Sequence, residues 1–308
     1  MKDVKIIATD FAVPDHVVTN DDLSKIMDTS DEWISKRTGI KRRHISQKEN
    51  TSDLASQVAD SLLKQANLDA EAIDLIVVAT MSPDNLTPAT AAMVQGKIGA
   101  KRAICFDISA ACSGFSYAVA VAQSMLLVND WEYAIVIGAE VLSKLLDWHD
   151  RSTAVLFGDG AGGVLLKKTA HPHLLGKALE TFGDKGNQLI AGHLGLTNKE
   201  VSPFKMNGQE VYRFTTHEVP RSILKASANA EISLDQIDHF LLHQANRRII
   251  VQVAKKLKQP LTKFPINIDE YGNTAAASEA ILLAEMVQKG KIKRGNIVAL
   301  SGFGGGLT

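Results

Sequence analysis

Two cysteines in 308 residues cannot build a disulfide scaffold, and they suit a reducing compartment. Net charge is missing as well. With 34 basic residues facing 34 acidic ones, no overall field draws the chain to nucleic acid or to a membrane surface. No apolar run of membrane-spanning length is read, and the opening Met1-Lys2-Asp3-Val4-Lys5 leads into a β-like run rather than a secretory signal. Metal-ligand spacings do not occur. The glycine-rich stretch from Phe157 to Gly163 has no clean G-x-G-x-x-G opening a helix, which excludes a dinucleotide fingerprint, and is read as a tight turn into a strand over 163–166. Ser301 to Thr308 lacks the Lys of a phosphate loop. A soluble, cytoplasmic chain of two domains or two fused halves is the expectation.

What is present is an alternation of strand-like and helix-like runs, which argues an α/β fold. Strands are expected over 4–9, 73–80, 103–107 and 134–139; helices begin at Asn20, near Ser30, at Thr51 and at Ala89. The helix after Ser30 is read as turning strongly basic through Arg37, Lys41, Arg42, Arg43 and His44. That basic end fits a solvated helix terminus as well as a surface where Trp33 stacks on a base and Arg37 meets phosphate.

The most telling stretch runs from Asp107 to Tyr117, where a short buried strand passes into an Ala-rich helix through Cys112. A thiol at a helix start faces unpaired N–H groups and the positive end of the helix dipole, so it is expected to be more reactive than a core cysteine. Cys105, mid-strand among apolar neighbours, reads as core. The second half echoes the first: the run 72–78 matches 236–242 at an offset of 164, and the joint around Cys112 matches 268–278, with Asn273 at an offset of 161. Packed about a pseudo-twofold axis, the two joints would face each other and bring Cys112 to Asn273. His243 leaves a buried strand at its C-terminal end, where α/β proteins place their sites. A cysteine can carry an acyl group as a thioester, and a His with an Asn offers N–H donors to a developing oxyanion. Each has a plainer reading too: a buried small residue for Cys112, a satisfied core imidazole for His243, a turn and helix cap for Asn273.

Six stretches, in order and near the same spacing, resemble one family: Asp28-Thr29-Ser30-Asp31-Glu32-Trp33-Ile34, Ala110-Ala111-Cys112-Ser113-Gly114-Phe115, the run from Asp150 to Gly162, His243-Gln244-Ala245-Asn246, Tyr271-Gly272-Asn273-Thr274, and Gly302 to Thr308. The family is β-ketoacyl-acyl-carrier-protein synthase III, the initiating condensing enzyme of type II fatty acid synthesis. The resemblance implies a thiolase-like five-layer αβαβα sandwich of two related halves, 1–166 with the nucleophile and 167–308 with His243 and Asn273. It further implies that Cys112 takes the acyl group of an acyl-CoA primer, that His243 and Asn273 activate malonyl-acyl carrier protein, and that the N–H groups of Cys112 and Gly305 form an oxyanion hole. Trp33, Arg37 and Arg151 match CoA-clamping positions. Arg248, Lys255 and Lys256 match a carrier-docking helix, although a solvated face explains their charge equally well. Thr87 matches a position at the acyl pocket. A homodimer is implied, and neither metal nor redox cofactor. Members continue past Gly-Leu-Thr with a last strand, which the C-terminal half is expected to lack.

Overall fold

The computed structural model describes residues 3–192 and 203–308. Its strands are β1 (Asp3–Ala12), β2 (Val17–Thr19), β3 (Arg42–His44), β4 (Leu75–Ala79), β5 (Ile104–Ile108), β6 (Tyr133–Glu140), β7 (Gly160–Thr169), β8 (Leu189–Ile190), β9 (Lys205–Met206), β10 (His239–Leu242) and β11 (Val298–Ser301). The helices are α1 (Asn20–Ser24), α2 (Asp31–Thr38), α3 (Thr51–Ala66), α4 (Thr90–Ile98), α5 (Gly114–Val128), α6 (Gly208–Asn229), α7 (Arg247–Leu257), α8 (Ile268–Tyr271) and α9 (Ser278–Gln288). One five-stranded sheet has the order β1-β7-β6-β4-β5, and β10 pairs in parallel with β11 in a second.

Strand periodicity explains the layers. Successive side chains of a strand point to opposite faces. Leu75, Val77 and Ala79 of β4 therefore join Phe115, Ala118 and Ala122 of α5 and Ala280 of α9, while Ile76 and Val78 pack on Leu54, Val58 and Leu62 of α3. In the second sheet Leu241 turns toward that same middle layer, and Phe240 and Leu242 turn outward to Val219, Ile249 and Val253 of α6 and α7. The result is helix, sheet, helix, sheet, helix. All five residues of β4 are buried, and each of its larger side chains is worth about 1.5–3 kcal/mol removed from water.

The repeat is stricter in space than in sequence. Leu75 pairs with Ala134 in the first sheet and His239 with Val298 in the second, so both partners are displaced by 164 (239 − 75; 298 − 134). The joints obey the same offset: 3-10 turns over Ala111–Ser113 and Ala275–Ala277 lead into α5 at Gly114 and α9 at Ser278, and Ala111 and Ala275 both take a left-handed backbone, φ 44° and 41°. The counterpart of Cys112 is thus Ala276. Asn273, expected in that role, stands three residues earlier. Each joint also fits a glycine of the other half: a Cβ on Gly138 would lie 2.1 Å from the Ala276 carbonyl oxygen, and one on Gly302 2.6 Å from Ser113 Cα and 3.1 Å from the Cys112 oxygen.

Several boundaries differ from expectation. The second helix stops at Thr38, where Gly39 takes φ 88° as a left-handed cap, so the basic run 41–44 leaves the helix and 42–44 becomes β3, paired with β2. The glycines after Phe157 are not all turn: Gly160, Gly162 and Gly163 lie within β7, where a Cβ on Gly162 would sit 2.5 Å from the Ile281 nitrogen, so α9 needs the bare strand to pack. Contrary to the expectation of no such run, Ala111–Val128 is long and apolar enough to cross a membrane, but more than half of it is buried in the middle layer. It is a core helix. Beside β11, where β7 lies beside β6 in the first sheet, runs a groove of about 230 Å³ lined by Ser116, Val119, Val219, Ile223 and Leu300.

Candidate active site

Cys112 sits in the single 3-10 turn between β5 and α5, after the strained Ala111, and is 5% exposed. The sequence expectation of a thiolate favoured by the helix start is corrected by its surroundings. Burial pushes the thiol up to about 12, the nearby Glu140 adds to the rise, and only the backbone N–H groups of Cys112 and Gly305 oppose it. Those two N–H groups thus lie on the side of the nucleophile where they favour negative charge, the electrostatics that an acyl oxygen bonded to this sulfur would meet. Gly304 permits the approach, since a Cβ there would lie 2.9 Å from Sγ.

His243 directly follows β10 and is 1% exposed, its N–H donating to the Ser301 carbonyl. Burial pulls the imidazole down to about 3, so the ring is neutral. Nδ1 lies 3.0 Å from Ser278 Oγ, and Phe303 meets the ring edge to face at 5.2 Å. Asn273 is clamped between strands of the chain: its N–H donates to the Leu156 carbonyl, its own carbonyl accepts from Gly158, and its Oδ1 accepts from the Ala275 N–H at 2.9 Å. Fixing Oδ1 leaves the Nδ2 hydrogens for the cavity. Gly272, with φ 66°, supplies the turn that no side chain readily adopts.

These groups line one cavity of about 810 Å³ with Cys112, His243 and Asn273 together at its wall and Trp33, Arg37 and Ser152 also lining it. Two guanidinium groups approach the Trp33 ring, Arg37 Cζ at 4.4 Å and Arg151 Cζ at 5.3 Å from its centre. Asp28 holds Arg151 through its carbonyl at 2.6 Å and its carboxylate at 3.1 Å. On α7, Arg248 donates to the Lys36 carbonyl and stitches that helix to α2, whereas Lys255 and Lys256 are exposed and without an ion pair among the described residues. Thr87 is not brought to the cavity; it lies exposed in the loop before α4. The apolar wall is made instead by Met81, Phe157, Leu189 and Phe204, with Leu142 packed behind Cys112, and these come from separate segments with no shared periodicity to mark them in the sequence. Away from the cavity, His44 places Nδ1 2.6 Å from the Pro14 carbonyl, and His193 lies outside the described residues.

Two further acids stand behind the nucleophile. Glu140 accepts from Ser82 Oγ and from backbone N–H groups of Met81 and Ser82, yet burial still lifts it to about 7. Glu279, fully buried on the first turn of α9, accepts among the described residues only from Ser116 Oγ at 2.8 Å, and burial raises it to about 8. A raised folded-state value means stability that is present below the ordinary carboxyl range near 4.5 and lost as pH rises through about 8. Glu279→Gln is therefore expected to gain on the parent protein by up to about 1.4 kcal/mol per pH unit across that window. Urea midpoints measured from pH 5 to 9 read the difference; parallel curves for the two proteins would contradict it.

The five layers, with a cysteine at the joint between two related halves, define the class: a thiolase-like condensing enzyme. Comparison supplies the member of that class. The family models for 3-oxoacyl-[acyl-carrier-protein] synthase III and for its C-terminal part match residues 106–183 and 227–308. The beta-ketoacyl-[acyl-carrier-protein] synthase III of Limosilactobacillus reuteri is 60% identical, covering 100% of this chain and 98% of its own; that of Streptococcus mutans is 51% identical, covering 99% and 96%. The crystal structure of the Aquifex aeolicus enzyme superposes with a TM-score of 0.94 at 41% identity, covering 99% of this chain and 97% of that one. The chain belongs to the β-ketoacyl-acyl-carrier-protein synthase III family, acyltransferases that condense an acyl-CoA primer with malonyl-acyl carrier protein to begin fatty acid synthesis.

Proposed function

We propose that Cys112 is the nucleophile of this condensation and that His243 and Asn273 are the decarboxylating pair. The meeting of Cys112, His243 and Asn273 on one cavity, with the Gly304–Gly305 loop laid against the sulfur, carries the reading. Cys112 attacks the acyl-CoA thioester; its carbonyl oxygen becomes negative and meets the two N–H groups, and the thiol proton ends on the departing CoA sulfur. Malonyl-carrier protein then places its thioester oxygen against a donor from His243 and the Nδ2 hydrogens of Asn273. The bond to its carboxylate breaks, CO2 leaves, and the electron pair is held as an enolate by those donors. The enolate carbon attacks the Cys112 thioester, the β-ketoacyl product forms on the carrier, and the Cys112 thiolate regains a proton. Decarboxylation drives the sequence, so neither metal nor redox cofactor takes part. Mass spectrometry of the intact protein mixed with a short acyl-CoA should show a gain of one acyl group, mapped to the peptide of Cys112; an acyl group on any other residue would overturn the assignment.

The remaining roles follow from the same geometry. Trp33, Arg37 and Arg151 suit the adenine and phosphate end of CoA, because a stacking ring beside two guanidinium groups offers what a nucleotide presents. The exposed face of α7, with Arg248, Lys255 and Lys256 and no acid anywhere on the helix, suits an acidic carrier protein. Lys255→Glu with Lys256→Glu is expected to raise KM for malonyl-carrier protein several-fold and to leave acylation by acyl-CoA unchanged; equal losses in both steps would remove the docking role. A homodimer is favoured by the outer edge of β5, whose Ile104 is 51% exposed, with Leu86 82% exposed in a neighbouring loop. Light scattering at micromolar concentration tests it. The halves 1–166 and 167–308 read as two copies of one unit, supported by the constant offset, with β7 carrying the first to Thr169. A nucleophile that must stay reduced, and two free cysteines, favour the cytoplasm.

A further inference from the structure

We infer that Ser278 is a positioning residue that fixes the tautomer of His243, keeping Nδ1 bare and Nε2 protonated, so that the ring meets the malonyl thioester as a neutral donor. The inference rests on the donor role proposed for His243. Its ground is the hydrogen count at one oxygen. A serine hydroxyl has one hydrogen to give and two lone pairs to offer. Ser278 Oγ already accepts the Gln244 N–H at 2.7 Å, and its only other hydrogen-bond neighbour among the described residues is His243 Nδ1 at 3.0 Å. With one lone pair taken by the Gln244 N–H, donation to a bare Nδ1 is the arrangement that uses the hydroxyl hydrogen; the opposite tautomer would donate Nδ1–H to the second lone pair and leave that hydrogen buried with no acceptor among the described residues, so the ring proton belongs on Nε2.

The surroundings hold the same state. Ser278 is the first residue of α9, an 11-residue helix, so unpaired N–H groups and the positive end of the helix dipole lie beside Nδ1 and disfavour a charged ring. Among the described residues no carboxylate bonds to the imidazole. The acid next in sequence, Glu279, is turned to Ser116, and burial keeps both it and the Cys112 thiol protonated near neutral pH. The Gln244 N–H, which sets the orientation of the hydroxyl, is itself held in place: Gln244 Nε2 donates to the Leu242 carbonyl and Oε1 accepts from the Asn267 N–H. Serine is thus used here as a relay of orientation from the backbone after β10 to the ring, and it touches no substrate.

The test combines spectroscopy with kinetics. Nitrogen-15 NMR of histidine-labelled intact protein should show His243 with Nε2 protonated and Nδ1 bare from pH 6 to 8; an Nδ1–H resonance in the parent protein overturns the inference outright. Ser278→Ala is expected to lower malonyl-carrier decarboxylation at least about tenfold, as loss of an aimed donor does, while Cys112 acylation by acyl-CoA stays within about twofold. Ser278→Thr, which keeps the hydroxyl, should restore most of the rate and the Nε2–H signal. If Ser278→Ala decarboxylates at the parent rate, the positioning role is wrong. If His243→Ala also decarboxylates at the parent rate, the failure belongs to the donor role of His243 instead.

Discussion

Condensation is expected to stop in Cys112→Ala and in Gly304→Ala alike, the first losing the sulfur and the second burying it. Cys112→Ala removes the only group in the cavity that can hold the acyl chain as a thioester, and a fall of at least about 10³-fold is expected. Gly304→Ala is the sharper test, because it touches no reactive group. Its added methyl would stand 2.9 Å from Sγ and 2.7 Å from Cys112 Cβ, closer than side chains approach, so the loop carrying the Gly305 N–H must move away from the sulfur. Misplacement by about 1 Å at a reacting centre costs on the order of 10²-fold. Single-turnover acylation by a short acyl-CoA measures both. Acylation of Gly304→Ala at the parent rate would mean that the loop does not set the geometry at Cys112.

The second large effect falls on the other half-reaction. His243→Ala and Asn273→Ala should each lower decarboxylation of malonyl-carrier protein by about 10²–10³-fold, since each removes one donor to the enolate oxygen. The double variant should lose less than the product of the two, because both donors serve one oxygen. Acylation of Cys112 should persist in all three. The pH dependence follows from burial: with its ordinary value drawn down to about 3, His243 stays neutral between pH 5 and 8, so decarboxylation should show no inflection near 6.5. Carbon dioxide release from labelled malonyl-carrier protein reads the rates, and an inflection at 6.5 would show that the ring titrates and is more open than its burial indicates.

The α/β alternation was legible in the sequence because β4 and β6 are apolar runs with turns around them, and the halves because their strands recur 164 residues apart, whereas the five layers came with the family resemblance. Cys112 was legible from its place between strand and helix. Its protonation was not: sequence shows the helix start but not the depth of burial or Glu140 beside it. Asn273 was correctly placed in the cavity but for an inexact reason, since its offset of 161 names the wrong counterpart, and only the left-handed Ala111 and Ala275 align the joints. The pocket wall escaped notice because Met81, Phe157, Phe204 and Leu189 come from four separated segments. Ser278 and Glu279 also escaped, as an unremarkable helix start, their meaning lying wholly in what they face.

The approach of Gly302, Gly304 and Gly305 to Cys112 also has a bearing on time. The contact spans 193 residues (305 − 112), so it cannot form until most of the chain has been made. A chain emerging from the ribosome exposes its thiol long before the glycines that aim it exist. The reactive centre therefore waits for the C-terminal glycines, and a nascent molecule has a cysteine but no oxyanion hole with which to draw acyl groups from CoA.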